Sequence, residues 1–322
     1  MTDRAPSPAR LALTVALGLL LTIPVGIAVA ALSGVGHRWI DILAQFAGPA
    51  LALAVAGLAG SALLRSRALI VASVLVCGLV LAAGWPQWAP PRGTPAESSA
   101  AFTLYSANLH ALNGDTEAMA RSIAASDADV VVLVEVGPDT KAALDTVLAG
   151  YPHRALRGRR DHPAAVLSVV ASRTPLRDVA PRQQHLYPAV AVVETTLGPV
   201  TISSTHMTRP WPYQVQWEQI RQAEELSAWA ATVEGPVIVA GDFNSVSSAR
   251  IGKLIRDEAG LIPAPGWPGT WPTQLPAFAG ITIDQVYHSP DLALAERRLG
   301  QSTGSDHRPV ITRFVRAASP GE

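Results

Sequence analysis

The sequence predicts a mixed α/β domain, two packed mixed sheets flanked by helices, preceded by three membrane-crossing helices. Three observations lead there. Residues 1–95 are dominated by Ala, Leu, Val, Gly and Ile, whereas residues from about 98 onward have ordinary globular composition. The first part holds three charge-poor apolar stretches joined by short loops. The second part has apolar, β-branched runs that alternate partly with amphipathic segments and partly with one another, a pattern that suits two sheets covered by helices.

The three stretches are 11–32, 42–64 and 68–84. A bilayer core needs about 20 apolar residues as helix. The first two have that length, and the third continues into Trp85 and Trp88, which suit an interface. Residues 1–85 therefore read as a membrane anchor. Arg4 and Arg10 precede the first span and Arg65 and Arg67 lie between the second and third. By the positive-inside rule these stay cytoplasmic, which places everything after the third span outside the cytoplasm. A first span acting as a cleaved signal peptide leaves that side unchanged.

Residues 86–100 are rich in Pro and small polar residues and read as a linker to a domain over 101–318. In that domain 102–109 reads as a strand and 116–125 as a helix with Asp115 as N-cap. The continuous apolar run 129–136 suits a strand buried on both faces, and 139–148 reads as a helix. Strands follow over 164–171, 189–196 and 200–206. A helix over 213–231 has Ile220, Ala223, Leu226 and Ala230 at helical spacing. Strand 237–243, a helix over 248–255, and strands 281–287 and 309–315 close the series.

The single cysteine, Cys77, lies in the third apolar stretch, so no disulfide forms within the chain. Residues 98–322 carry 19 Lys plus Arg against 22 Asp plus Glu. A domain that lives by non-specific attraction to nucleic-acid phosphates carries a basic excess, and this one has none.

Six polar signatures sit at or just after the apolar runs. They are Asn108 in L-Y-S-A-N-L, Glu135 in V-V-V-L-V-E-V, His206 in S-S-T-H-M, Asp242 and Asn244 in V-I-V-A-G-D-F-N-S, Asp284 in I-T-I-D-Q-V-Y, and Asp306-His307 in G-S-D-H-R-P-V. Strands that bring carboxylates, amides and imidazoles to one end of a sheet can build a metal-hydrolase site. Glu135 ends a buried run, where a carboxylate is costly unless it meets a cation. A hard divalent ion, Mg²⁺ or Mn²⁺, suits oxygen ligands of this kind. Asp242 and Asn244 are two apart, so on an extended segment they share a face.

In their order and spacing these residues resemble the endonuclease/exonuclease/phosphatase superfamily. This group includes pancreatic-type deoxyribonucleases, abasic-site endonucleases, inositol-polyphosphate phosphatases and secreted sphingomyelinases. The resemblance spans about residues 100–318, and G-D-F-N followed by S-D-H-R-P is its most specific part. It implies a four-layer αββα sandwich and divalent-metal-dependent hydrolysis of phosphoric esters. It further implies Glu135 as principal metal ligand, with Asn108 and Asp306 as further ligands. Asp242 would orient or deprotonate the attacking water, and Asn244 would hydrogen-bond the phosphate. Asp284 would lie against His307 and raise its pKa. His206 would donate to a phosphate oxygen or protonate the leaving group. No Ser, Cys or Thr nucleophile elbow is present, so the expected route is in-line attack of water without a phospho-enzyme.

The partners implied are the bilayer and a phosphate ester, either a lipid headgroup or nucleic acid, with a phosphomonoester third. No protein partner follows from the sequence. A non-catalytic, membrane-tethered binding module would have lost some of these residues, and none is lost. Other features keep two readings. Arg157, Arg159 and Arg160, before Asp161 and His162, either steer an anion or form a solvated loop. His110 and His162 match no role. Arg209, Trp211, Tyr213 and Trp217, and the loop bearing Trp267 and Trp271, either meet lipid or a base or pack locally.

Overall fold

A computed structural model of the protein describes residues 7–97, 100–158, 166–179, 183–210 and 216–318. Arg159, Arg160, Asp161, His162, Trp211 and Tyr213 lie outside the described residues, as does the start of the strand expected over 164–171. The chain divides into two units, Met1–Pro86 with Ser248–Arg250, and Gln87–Ser247 with Ile251–Glu322.

Four helices arise from the apolar N-terminal part: α1 (Pro8–Ser33), α2 (Arg38–Ala44), α3 (Ala47–Leu63) and α4 (Arg67–Trp88). Helices α1 and α4 are long and apolar enough to cross a membrane. The helix expected as the second span is broken: α2 and α3 are bent by 60° at the break, so among the described residues the helices long and apolar enough to cross number two, or three if this pair acts as one. Pro49 explains the break. It has no N–H for the carbonyl of Gln45 and its ring crowds that carbonyl, so α2 cannot run on. Proline is tolerated in the first turn of a new helix, which is where α3 puts it. Leu19, Val55, Val71 and Leu75 expose apolar surface that water would not tolerate in bulk. The helices pack through small residues: Gly57 and Gly60 of α3 meet Leu21 and Leu17 of α1.

The second unit is built from two six-stranded sheets. The strands of the first are β1 (Ala101–Asn108), β2 (Val130–Val136), β3 (His153–Gly158), β4 (Leu167–Ser172), β11 (Leu292–Leu299) and β12 (Val310–Arg316). They lie in the order β11-β12-β1-β2-β4-β3. The second sheet contains β5 (Leu176–Val179), β6 (Ala189–Thr195), β7 (Gly198–His206), β8 (Val237–Asp242), β9 (Ile262–Pro263) and β10 (Asp284–His288), in the order β5-β6-β7-β8-β10-β9. Among the described residues, only the pairs β1–β2 and β7–β8 are parallel. Each is joined through helix: α5 (Thr116–Ser126) links β1 to β2, and α8 (Gln216–Ala230) links β7 to β8. This is the crossover that parallel neighbours require.

Three cores separate the layers. Alternate residues of the first sheet, such as Phe102, Leu104, Val130 and Val132, meet Ala191, Ile202 and Ile238 of the second. The intervening residues, such as Tyr105, Val131 and Leu133, face the other way onto Met119 and Ile123 of α5 and Val147 of α7 (Leu144–Val147). On the outer side of the second sheet, Val237 and Val239 meet Ile220, Ala223, Leu226 and Ala230 of α8 and Ile255 of α9 (Arg250–Ala259). The layers thus run helix, sheet, sheet, helix. Strands buried on both faces need continuous apolar runs, which is what β2 and β8 have.

Some boundaries differ from expectation. The helix expected over 139–148 is two short pieces, α6 (Pro138–Ala142) and α7, interrupted where Ala143 leaves helical geometry at φ −97°, ψ 11°. Strands β3, β5, β9 and β11 lie at or near sheet edges. Strand β9 is two residues long, β3 and β5 interleave Arg and Asp with their apolar residues, and β11 ends in Glu and Arg, so no long apolar run marks them.

Candidate functional site

The site forms where the strands of both sheets end together. In the second sheet His206 pairs with Asp242, and Asp242 with Asp284, so the three stand side by side across β7, β8 and β10. In the first sheet Asn108 ends β1 and pairs with Val134, next to Glu135. The sheets meet through Asn108. Its Nδ2 donates to Glu135 Oε1 and to Asp242 Oδ2, each at 3.0 Å, and its Oδ1 accepts the His110 N–H at 2.8 Å. Asn108 was expected as a metal ligand. Its nitrogen clips the two carboxylates together, and its Oδ1, which keeps a second lone pair, is the atom a metal would use.

Glu135 is aimed by a bulge. The β2–β4 register shifts between Leu133 and Val136, and Glu135 has φ +52°. A bulge re-aims a side chain, and a non-glycine residue held at positive φ stores strain typical of functional positions. Its Oε2 accepts the Ala111 N–H at 3.2 Å. Burial pushes the Glu135 pKa up, but His206, the Asn108 amide, the Ala111 N–H and His307 outweigh it and hold the carboxyl below its usual range. His206 Nε2 lies 3.4 Å from Glu135 Oε1 and 3.9 Å from Asp242 Oδ2.

Asp242 follows Gly241, whose φ is +138° and where a Cβ would come within 2.0 Å of the Thr205 carbonyl oxygen. Only glycine lets β8 approach β7 there and still deliver Asp242. Asp242 Oδ1 accepts the Asn244 N–H at 2.7 Å, and Asn244 Nδ2 donates to the Met207 carbonyl at 2.9 Å. Burial raises the Asp242 pKa, Asp284 adds to it, and His307, His206 and the Asn244 N–H offset only part, leaving it at about 6.

His307 Nδ1 lies 2.9 and 3.1 Å from the two oxygens of Asp284, with both residues buried. Its Nε2 is 4.0 Å from Asp242 Oδ2 and 3.9 Å from Asp306 Oδ1. Burial works against the imidazolium, but Asp284, and then Asp242 and Asp306, overcome it and raise the pKa to about 10. Asp306 is half-buried, and its Oδ2 accepts the Trp271 Nε1–H at 3.1 Å.

The structure thus brings Asn108, Glu135, His206, Asp242, Asn244, Asp284 and His307 into one network, with Asp306 near His307 Nε2. Ligand atoms of Glu135, His206 and Asp242 lie within 4.8 Å of one another, as do those of Asp242, Asp284 and His307. The donors are mostly hard and anionic and Glu135 stays ionised, so the residues present fit a small divalent cation.

A cleft of about 320 Å³ opens from Glu135, His206 and Asn244 toward Arg157, His185 and Arg209. Arg157 is held by Asp178 through two 3.0 Å hydrogen bonds. Gln222 fixes the cleft wall, accepting the Thr208 N–H at 2.7 Å and donating to the His185 carbonyl at 3.0 Å. His110 is exposed and reaches the site through its backbone N–H.

Two supporting residues had no place in the site by sequence, where Trp271 was left between a lipid or base contact and local packing. Trp271 holds Asp306 from 35 residues away. Gln219 of α8 is buried and donates to the Phe243 and Asn244 carbonyls at 2.9 and 3.2 Å. Nothing local marks either one. Gln219 lies on a helix face that otherwise reads as ordinary amphipathic pattern.

The sequence model of the endonuclease/exonuclease/phosphatase family matches residues 105–307. No curated protein matches the chain. Among solved structures it resembles an endonuclease/exonuclease/phosphatase from Beutenbergia cavernae, at TM-score 0.56 and 20% identity over 70% of this chain and 74% of that one. One from Bacteroides vulgatus gives TM-score 0.56 and 14% identity over 67% and 99%. The human nocturnin catalytic domain with bound sulfate gives 0.53 and 15% over 71% and 99%. At these identities the likeness concerns the fold.

Proposed function

The chain belongs to the endonuclease/exonuclease/phosphatase family, whose model spans more than half of it, and from that premise we propose a membrane-anchored, divalent-metal-dependent phosphodiesterase acting outside the cytoplasm. The observation that carries this reading is the Asn108 clip, which joins Glu135 at the end of one sheet to Asp242 at the end of the other. Such a clip makes one site of residues as far apart as Asn108 and Asp242, 134 positions along the chain.

Glu135 would hold the ion, with Asn108 and Asp306 as further ligands and Mg²⁺ or Mn²⁺ the fitting metals. A bound ion supplies charge neutralisation at the phosphoryl oxygens. The remaining chemistry belongs to the chain. Asp242, fixed by Asn108 and Asn244, orients an attacking water and takes its proton. His307, held in place by Asp284 through Nδ1, presents its Nε2–H and positive charge to the phosphoryl group. His206, between Glu135 and Asp242, donates to a phosphate oxygen or to the leaving oxygen. Attack is in line and direct, so no covalent phosphoryl adduct forms.

A lipid headgroup is the favoured substrate. The apolar helices keep the chain at a bilayer, and the domain lacks the basic excess of a nuclease. Hydrolysis of extracellular nucleic acid is the second reading. Full-length protein in nanodiscs with Mg²⁺ or Mn²⁺, assayed against sphingomyelin, glycerophospholipids, DNA, RNA and inositol phosphates, decides between them. Cleavage of a lipid phosphodiester supports the first reading, and cleavage of DNA or RNA alone replaces it with the second. No metal-dependent cleavage of any of these refutes both. The orientation is tested separately: alkaline phosphatase fused at the C-terminus should be active, and activity only from a cytoplasmic reporter refutes it.

A further inference from the structure

The loop over residues 265–280 presents an unusual surface. Trp267 is 59% exposed, Phe278 72% and Leu275 45%. The exposure does not come from a loose segment. The Gly269 N–H donates to the Ala277 carbonyl at 2.8 Å, bringing the backbones next to Trp267 and Phe278 together. Thr282 Oγ1 donates to the Gly266 carbonyl at 2.7 Å, and Arg297 Nη1 to the Pro268 carbonyl at 2.8 Å. The Arg308 guanidinium donates to the carbonyls of Pro272, Thr273 and Leu275. A fixed loop that keeps three large apolar side chains in water needs something to cover them.

The covering surface follows from the chain path. Gln87, the first residue of the second unit, lies in the last turn of α4. Its carbonyl accepts the Gly266 N–H at 2.7 Å, and its side chain is buried (4% exposed) against Gly266. The chain then stays on the unit: the Arg92 carbonyl accepts the Leu294 N–H at 2.7 Å and the Ala96 N–H donates to the Arg316 carbonyl at 2.9 Å. A helix of this length spans roughly 33 Å, close to a bilayer core of about 30 Å. If α4 crosses, Gln87 stands at a leaflet surface beside Trp85 and Trp88, residues typical of that depth. The loop bonded to Gln87 stands at the same level.

We propose that loop 265–280 is a bilayer-contact element, with Trp267 and Phe278 resting at the headgroup–acyl boundary of the leaflet that α4 leaves. The proposal rests on α4 crossing a membrane and is independent of the phosphodiester chemistry. Its consequence for the site is direct. The same loop carries Trp271, whose indole holds Asp306, so the segment that touches lipid also sets a carboxylate beside His307.

Site-directed spin labelling of the full-length protein tests this. In a Cys77→Ser background, Trp267→Cys, Phe278→Cys and a control Asp145→Cys, whose native side chain is almost fully exposed, each carry one nitroxide. The protein is placed in phosphatidylcholine–phosphatidylglycerol nanodiscs, one copy per disc. Labels at 267 and 278 should collide preferentially with dissolved oxygen and be protected from a water-soluble nickel chelate, whereas the label at 145 shows the reverse. Water-like behaviour at 267 and 278 overturns the proposal. So does dipolar broadening between copies at 278 in detergent, which makes a second copy the partner. In a second measurement, Phe278→Glu should lower turnover of a bilayer-borne phosphodiester about tenfold, the scale of one lost apolar contact. Turnover of soluble bis(p-nitrophenyl) phosphate should not change, and an equal loss on both substrates overturns the proposal. Membrane-like depths without any turnover support the contact and count against the phosphodiesterase reading alone.

Discussion

Replacing Asp284 by Asn tests the electrostatics of the site with little change of shape. Both Asp284 oxygens lie within 3.1 Å of His307 Nδ1, and both residues are buried. Burial alone would drive the imidazole toward its neutral form, and Asp284 is the first of the groups that reverse this and raise its pKa to about 10. In metal-free protein at pH 8, His307 should therefore be charged in the parent and neutral in Asp284→Asn. The sign for stability follows. A raised folded pKa contributes stability that is complete below the unfolded value near 6.5 and is lost as pH rises through about 10. The slope in that window is at most about 1.4 kcal/mol per pH unit. The parent should lose stability between pH 7 and 10, and the variant should be flatter. Histidine ¹⁵N resonances followed from pH 6 to 11, with chemical denaturation at each pH, measure both. Turnover should fall by roughly 10²–10⁴, the usual worth of a positioned acid–base group. A His307 ring still charged at pH 8 in the variant, with the pH slope intact, would refute the reasoning.

Four further outcomes are expected. Glu135→Gln keeps the side-chain shape but removes the charge, so calorimetric Mn²⁺ binding should be lost and metal-dependent turnover should drop at least ~10³-fold. Trp271→Phe removes the N–H that holds Asp306 and should weaken divalent-ion binding by about 10–100-fold while far-UV dichroism is unchanged. Gly241→Ala forces a Cβ against the Thr205 carbonyl at positive φ and should cost about 3 kcal/mol in denaturant unfolding. His288 is buried and its pKa is pushed down by that burial. Its contribution to stability is present above its unfolded value and is lost as pH falls below it, so His288→Leu should flatten the acid limb below pH 6.5.

Much of the fold was legible because its central strands are buried on both faces. The runs ending at Glu135 and Asp242 had to be apolar throughout, and a carboxylate closing such a run is conspicuous. The edge strands were not legible. In β11 the segment A-E-R-R-L turns Glu296 and Arg298 to solvent, and in β3 only Ala155 is buried. The break between α2 and α3 had a visible cause in Pro49, yet the apolar run across it reads as continuous. At the site, residue types and order were readable, but directions were not. Nothing in L-Y-S-A-N-L says that Asn108 turns its nitrogen toward the carboxylates, because the His110 N–H that takes its oxygen depends on a backbone turn at φ +57°. The Trp271–Asp306 bond depends on a loop closed by distant residues.

His206, Asp242 and Asp284 occupy one rung across three neighbouring strands. Side chains on a strand alternate faces, so adding or deleting one residue within β7, β8 or β10 would rotate the polar group on that strand toward the helices packed behind the sheet. Insertional scanning should therefore find these three strands intolerant of length change even where every single-residue replacement upstream is accepted. The outer strands β5 and β9 should absorb such changes.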